Sequence, residues 1–255
     1  MARVLVTGPA GLLGSAVIPR LLARGHEVRA LVHKTAPAQQ AGLQLARGDV
    51  RTGAGLTAAV TAIDAVIHAA TSPLRQAQAT EVGGTRQVLR AAQSAGAHLV
   101  YPSIVGADQL SAGYYRAKWR AEQVVESSAR WSIQRATQFH SMIDRMLSHR
   151  LFPVTGNLAF QPVDAGELAD CLVDLVEAGP SGRAEDFGGP EILPLRTIAA
   201  TRQAATGRRV TLIRVPAAGP LRSMDAGRHL CPGHARGTLT WQTWLAHQSY
   251  RAEPG

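Results

Sequence analysis

Tyr114 and Lys118 stand four residues apart in Tyr114-Tyr115-Arg116-Ala117-Lys118. On a helix that spacing places both on one face. The pair suits proton transfer: a phenol of pKa ~10 is a poor base at neutral pH, and a nearby ammonium stabilises its phenolate. Tyr115 competes for the role but lies only three residues from Lys118. Ser103 precedes the pair by a short loop, and its hydroxyl could polarise a substrate oxygen. A second set is Gly8, Gly11 and Gly14 in Gly8-Pro9-Ala10-Gly11-Leu12-Leu13-Gly14. Gly8 lets the chain turn sharply, Gly11 lets backbone approach a diphosphate with no Cβ in the way, and Gly14 lets a helix pack closely on a sheet. The free N–H groups of that helix's first turn would face the phosphates, aided by roughly half a unit of positive charge from the helix dipole.

The elements that position these residues follow from apolar periodicity. Arg3–Thr7 reads as a strand, residues 15–24 as a helix buried through Val17, Ile18, Leu21 and Leu22, and Glu27–Val32 as a second strand, which is the βαβ context the glycines require. Residues 43–50 read as a third strand ending in Gly48-Asp49-Val50. Residues 65–71 form a fourth, ending in the small Ala69, Ala70 and Thr71, against which a ribose and ring could lie. His68 there reads as packed or hydrogen-bonded rather than catalytic. Residues 81–92 read as a helix buried through Val82, Val88 and Leu89. Residues 98–101 are a fifth strand that runs into Pro102, tolerated there only if pairing stops. Ser103 then stands at the C-terminal sheet edge, where open α/β folds place their chemistry. Trp131–Ala136 is the sixth strand.

After the second strand, the segment His33-Lys34-Thr35 has no acidic residue to bind a ribose 2′-hydroxyl, whereas His33 and Lys34 could meet a 2′-phosphate. NADP(H) is therefore expected over NAD(H), the competing reading being that Lys34 is a solvated loop lysine. Arg29 is a weaker candidate because it points along its strand.

The ordered set Thr7-Gly8-x-x-Gly11-x-x-Gly14, Gly48-Asp49-Val50, strand-end Ser103 and Tyr114-x-x-x-Lys118 resembles the short-chain dehydrogenase/reductase superfamily. The likeness is greatest to its atypical and extended branch, which includes NmrA-like NAD(P)H-binding proteins. It covers residues 1 to about 190 well and the tail weakly. The resemblance implies a catalytic set of Tyr114, Lys118 and Ser103. Lys118 would tune Tyr114 and hold the nicotinamide ribose. Asp49, with Val50, would contact the adenine, although a turn or cap aspartate is the plainer reading. The cofactor would lie on Thr7, Gly8, Gly11, Leu12, Leu13, Gly14, His33, Lys34, Asp49, Val50, Ala69, Ala70 and Thr71, with Lys118 and Gln138 at its far end. The loop Thr137-Gln138-Phe139-His140-Ser141 would supply Phe139 and His140 to the substrate, Phe139 alternatively being core and His140 an ordinary loop histidine. One departure stands out: Glu81 occupies the place where many relatives carry the asparagine of a proton relay, so a relay here is built differently or absent.

Beyond residue 142 the pattern is irregular. Asp164 reads as the cap of a helix running through Leu175, with Glu167 as its capping-box partner. Residues 183–187 and 210–215 read as strands, 195–206 and 238–246 as helices. The Gly-, Pro- and Arg-rich stretch 216–236 would cover one side of the pocket. The expectation is an α/β doubly wound parallel sheet: residues 1–150 a dinucleotide-binding core, and 151–255 a small substrate-binding lobe with some segments returning to the core.

Composition agrees with a globular α/β chain. At 255 residues and 45% hydrophobic, it can bury its core without staples. Cys171 and Cys231 have no metal-ligand spacing, so no metal is expected and a reducing cytoplasm is. The N-terminus enters a strand directly, which reads as no leader, and no apolar run approaches ~20 residues. The formal charge of +9 is spread singly, mostly as arginine, with 5% aromatics, so anionic small molecules rather than nucleic acid are the expected partners. The favoured activity is hydride transfer between nicotinamide and a small carbonyl, quinone or conjugated substrate. The alternatives are a non-catalytic NADP(H) sensor of the NmrA-like type, and an epimerase or dehydratase with tightly held cofactor. A homodimer is the assembly common among the proteins it resembles.

Overall fold

The computed structural model describes residues 1–72 and 77–248. Seven strands form one parallel sheet: β1 (Arg3–Thr7), β2 (Glu27–Val32), β3 (Leu43–Arg47), β4 (Ala65–His68), β5 (His98–Ile104), β6 (Trp131–Ala136) and, by sequence, the ninth strand, β9 (Gly182–Arg183). Their order is β3-β2-β1-β4-β5-β6-β9. The chain winds outward from β1 to β3, then returns to lay β4 on the other side of β1. Beyond the ends of β1 and β4 the connections diverge, and a crevice opens at that switch point. Thr7 is in register with both Leu31 and His68 there.

Strand residues alternate between two helical layers. Val4, Val6, Val28 and Ala30 face a core shared with α1 (Leu12–Ala23) and α6 (Ala165–Ala178). Leu5, Val66, Leu99 and Tyr101 face a second core under α2 (Leu56–Ala59), α3 (Thr85–Ser94) and α4 (Gly113–Glu126). The helix α6 therefore returns to the main sheet. Ion pairs fasten it to α1, Arg20 to Asp170 at 3.0 Å and Arg24 to Asp174 at 2.5 Å.

A third core gathers Ile143 of α5 (His140–Met146), Leu158, Phe160, Ile198 of α7 (Leu195–Thr206), and Trp241 and Trp244 of α9 (Trp241–His247). Two small sheets border it: β7 (Leu151–Val154) with β11 (Thr211–Arg214), and β8 (Ala159–Phe160) with β10 (Leu193–Pro194). The stretch read as loop over 216–236 contains a short α8 (Pro220–Asp225) and a 3₁₀ turn (Pro232–His234).

Three local expectations change. Pairing does not stop at Pro102 on both sides: β5 pairs with β6 as far as Ile104, and only the β4 side ends, at Val100. The missing proline N–H falls on that vacated side. Asp164 caps α6, accepting from Gly166 and Glu167 N–H, but Glu167 does not complete a capping box. Its carboxylate instead accepts from Thr238 N at 2.8 Å and Leu239 N at 3.1 Å, tying the tail to α6. The helix expected from residue 81 begins earlier, as a π-helical turn over Gln78–Gly84 that continues into α3.

Candidate active site

The crevice at the switch point has a volume of about 320 Å³. Gly8, Pro9, Ala10 and Gly11 form one wall, Ala70 and Thr71 the floor at the end of β4, and His33, Lys34, Asp49, Val50 and Arg51 the far end. The glycine reasoning can be tested atom by atom. Gly8 holds φ at +65°, and a Cβ there would come 2.7 Å from Ala70 Cα. A Cβ on Gly14 would fall 2.2 Å from the Gly8 carbonyl oxygen, whereas at Gly11 it would meet only that oxygen, at 3.2 Å. Gly11 is the N-cap of α1 without a capping side chain, and the first turn holds no acidic residue. The first-turn N–H groups thus have no side-chain acceptor, and the backbone beside them is bare. This is a cradle that fits a diphosphate.

Other expected cofactor residues stand outside the crevice wall. Thr7 is fully buried. Its hydroxyl pairs with His68 Nδ1 at 2.7 Å and accepts from Ala70 N at 3.3 Å, so it locks the two strand ends together rather than facing a ligand. Leu12, Leu13, Gly14 and Ala69 are not among the lining residues. His68 also reaches Thr85 Oγ1 at 3.2 Å, and burial pushes its pKa down to about 4, a packed neutral ring. Arg29 turns away, donating to the Ala59 and Thr61 carbonyls. Asp49 makes the turn foreseen for it and lines the crevice. Oδ1 caps its own turn by accepting from Arg51 N at 2.9 Å, while Oδ2 lies 3.8 Å from His33. Arg51 is a basic lining residue that the sequence reading missed. Its signal was its place directly after Asp49-Val50.

Tyr114 meets the crevice floor at Thr71, and Lys118 meets the end of β5 at Pro102, the residue before Ser103. Tyr114 and Lys118 are both on α4, and the Tyr114 hydroxyl lies 3.0 Å from Thr71 Oγ1. Lys118 is 5% exposed, and its ammonium reaches Pro102 O at 2.9 Å, Tyr101 Oη at 3.2 Å and Glu81 Oε2 at 3.2 Å. Two of the three ammonium protons are hydrogen-bonded, to Pro102 O and Tyr101 Oη, and the Glu81 carboxylate is an ion-pair partner. Burial would pull the Lys118 ammonium down, but Glu81 opposes this and its pKa stands well above the ordinary lysine value.

Glu81 is fully buried by the π turn. Oε1 accepts from Thr71 Oγ1 at 2.5 Å and Ser72 N at 3.0 Å, and Tyr101 donates to Oε2 at 3.3 Å. Burial alone would raise the Glu81 carboxyl, yet Lys118 and these donors hold it below the usual range. The pair leaves Tyr114 with little net positive field. Burial raises its phenol, Lys118 lowers it, Glu81 raises it again, and the balance lies above the ordinary value. Lys118 thus lowers the Tyr114 pKa as expected, but burial and Glu81 outweigh it. Tyr115 stands edge-on to Tyr114, and burial pushes it up to about 12. Ser103 is 4% exposed and its hydroxyl has no hydrogen-bond partner, an orphaned group at the sheet edge.

The expected far-end residues are placed differently. Gln138 is buried and committed, Nε2 donating to His229 O at 2.9 Å and Oε1 accepting from Gln161 N at 3.4 Å, which pins the tail to the sheet edge. Phe139 packs against the first core. His140 lies beside Trp241 and Trp244, ring centroids 6.0 and 5.5 Å away. Burial pushes it to about 4, so it is a core ring and not a pocket acid or base. Among the described residues, no group of His, Cys, Asp or Glu could hold a metal, and no helix is long and apolar enough to cross a membrane.

Residues 8–177 match the NAD(P)H-binding family. In sequence, the chain is similar to a 3β-hydroxysteroid dehydrogenase/Δ5→4-isomerase of Mycobacterium tuberculosis, 35% identical over 132 residues, which are 44% of this chain and 35% of the relative. It is likewise 36% identical over 110 residues to a 3β-hydroxysteroid dehydrogenase of Mycolicibacterium neoaurum, 38% of this chain and 30% of that one. The matched stretch thus spans about a third of the length of these curated relatives. In structure, it is similar to an NADPH-dependent quinone oxidoreductase of Escherichia coli complexed with NADPH, with TM-score 0.79, 20% identity, and 96% and 99% of the two chains covered. It is also similar to a UDP-glucose 4-epimerase of Thermus thermophilus complexed with NAD, with TM-score 0.71, 20% identity, and 96% and 98% covered.

Proposed function

The chain belongs to the NAD(P)H-binding family, and from that premise we propose that it is an NADP(H)-dependent oxidoreductase acting on the hydroxyl or carbonyl carbon of a small substrate. The observation that carries this reading is the contact of Tyr114 with Thr71, which joins a proton-bearing phenol to the end of the diphosphate-fitting crevice. Gly8, Gly11 and the start of α1 would hold the diphosphate, Asp49 and Val50 the adenine, and His33, Lys34 and Arg51 a 2′-phosphate. When bound, the nicotinamide supplies the hydride acceptor or donor. Tyr114 exchanges the proton on the substrate oxygen, and the unpartnered Ser103 hydroxyl polarises that oxygen. Lys118 would hold the nicotinamide ribose and pairs with Glu81.

The names of the relatives supply two substrate classes to test, a 3β-hydroxysteroid and a quinone. Calorimetric Kd values for NADPH and NADH, then turnover with 3β-hydroxysteroids, quinones, ketones and enones, test the reading. Tighter NADPH and turnover lost on Tyr114→Phe are expected. Equal or tighter NADH sinks the cofactor preference. The pairing of Lys118 with the buried Glu81 carboxylate favours one rival, a cofactor-binding sensor without turnover. That rival predicts that Tyr114→Phe binds cofactor as the native chain does and that neither form reduces or oxidises any of the panel.

A further inference from the structure

A continuous path of hydrogen bonds joins Tyr114 to the interior. The Thr71 hydroxyl has one proton, and the Glu81 carboxylate at 2.5 Å can only accept it. The 3.0 Å contact between Tyr114 and Thr71 is therefore Tyr114 donating. The phenol proton points along the path Tyr114 to Thr71 to Glu81 Oε1, and the lone pairs of the phenol oxygen are left for a substrate hydroxyl. The Lys118 ammonium and the Tyr101 hydroxyl occupy the other oxygen, Oε2, and so hold the carboxylate without interrupting the path.

Resting on the oxidoreductase reading above, we propose that Glu81 is the terminal proton acceptor of this site, reached from Tyr114 through Thr71, with Lys118 paired to the carboxylate oxygen that the path does not use. In alcohol oxidation the substrate O–H bond breaks and its proton joins the Tyr114 oxygen. The phenol proton moves to Thr71 Oγ1, and the Thr71 proton moves to Glu81 Oε1. Tyr114 and Thr71 end neutral, as they began, and Glu81 ends as the acid. The electron pair of the carbinol C–H bond leaves as hydride to the oxidised nicotinamide. Carbonyl reduction runs the same transfers backward from protonated Glu81. Tyr114 never becomes a free phenolate, which suits a phenol that this site makes harder, not easier, to ionise.

The test has one arm without substrate and one with it. On the full chain without cofactor, ultraviolet tyrosinate titration, with the Tyr114→Phe spectrum subtracted, isolates Tyr114. Its midpoint is expected above ~10, and Glu81→Gln should lower it by about one unit or more, because Lys118 is then uncompensated. An unmoved midpoint in folded Glu81→Gln overturns the proposal. Should Glu81→Gln fail to fold, Thr71→Val decides, since it removes only the bridging hydroxyl. With NADP⁺ and a 3β-hydroxysteroid or secondary alcohol as probe, Thr71→Val should cut kcat by about 10²–10⁴ at neutral pH. It should also make kcat rise about tenfold per pH unit as phenolate forms, and Thr71→Ser should restore both. A native rate and pH profile in Thr71→Val, with Tyr114→Phe inactive, overturns the relay and leaves the oxidoreductase reading standing. Full turnover in Tyr114→Phe overturns both.

Discussion

Lowering the pH from 7 to 5 should strip this protein of much of its stability, because three histidines are buried as neutral rings. His68, His98 and His140 are 1%, 2% and 1% exposed. Burial pushes each down to about 4. Among the described residues, His98 Nδ1 and both ring nitrogens of His140 have no hydrogen-bond partner, and burial outweighs the pull of Asp164 and Glu167 on His140. In the unfolded chain each titrates near ~6.5. Between that value and the folded one the unfolded state binds more protons, so stability falls as pH falls through this window and is full above it. At pH 5 each ring costs about 2 kcal/mol, against about 0.2 at pH 7, so the three together cost about 5 kcal/mol if all stay fully desolvated. Local relaxation around any ring would bring the sum nearer ~3 kcal/mol, still a large share of the ~5–15 kcal/mol typical of a folded protein. Asp186, whose carboxyl burial raises, works in the opposite sense as its proton goes on first in the folded state. Asp64 and Glu177, held low by Arg3 and His26, lose their contribution as pH falls from the ordinary carboxylate value, and the fully buried His229, also pushed down by burial, adds to the loss in this window. Urea unfolding at a series of pH values, with a constant m-value, measures the loss. His140→Phe should flatten the slope by about a third. A stability that changes by less than ~1 kcal/mol between pH 7 and 5 would refute the assignment of these rings as neutral and unrelaxed.

Three further outcomes follow from the same geometry. Gly14→Ala should lower stability by about 1–3 kcal/mol and weaken NADPH binding, since its Cβ would meet backbone at 2.2 Å; thermal melting and calorimetry read both. Glu122→Gln, by leaving Arg135 short of the two bonds it makes to that buried carboxylate, should cost about 3–5 kcal/mol in urea unfolding, while Arg135→Met with Glu122→Leu recovers much of it. Lys34→Glu should raise the NADPH Kd about tenfold or more and leave the NADH Kd within a few-fold, because only NADPH carries a 2′-phosphate for an acidic side chain there to repel.

The fold was legible where local rules suffice. Arg3–Thr7, Glu27–Val32 and Trp131–Ala136 are strands with the bounds that apolar pattern gives, and Gly11 and Gly14 both lie against the Gly8 carbonyl a few residues away. Legibility fails where a side chain's partner comes from elsewhere in the chain. The sequence places Gln138 and His140 just past a sheet edge, but not that His229 would arrive to take the Gln138 amide, nor that Trp241 and Trp244 would lie beside the His140 ring. Glu167 has the spacing of a capping box and is diverted by Thr238 and Leu239, backbone donors from the tail. Periodicity reports which face is buried, and it carries no information on which polar group will meet which.

Glu81 shows how one such meeting alters the chemistry. The sequence marks it as a departure from a resembled pattern, and the tyrosine–lysine spacing by itself argues for a lysine that stabilises phenolate. What decides is a π turn, one residue wider per turn than an α-helix, that carries the carboxylate inward. There it meets the ammonium at 3.2 Å and the Thr71 hydroxyl at 2.5 Å. A lysine neutralised by a buried carboxylate cannot lend its full charge to a phenol a turn away on the same helix. A site built this way has to move the phenol proton onward instead of merely easing its departure, and Thr71 bonds to both Tyr114 and Glu81.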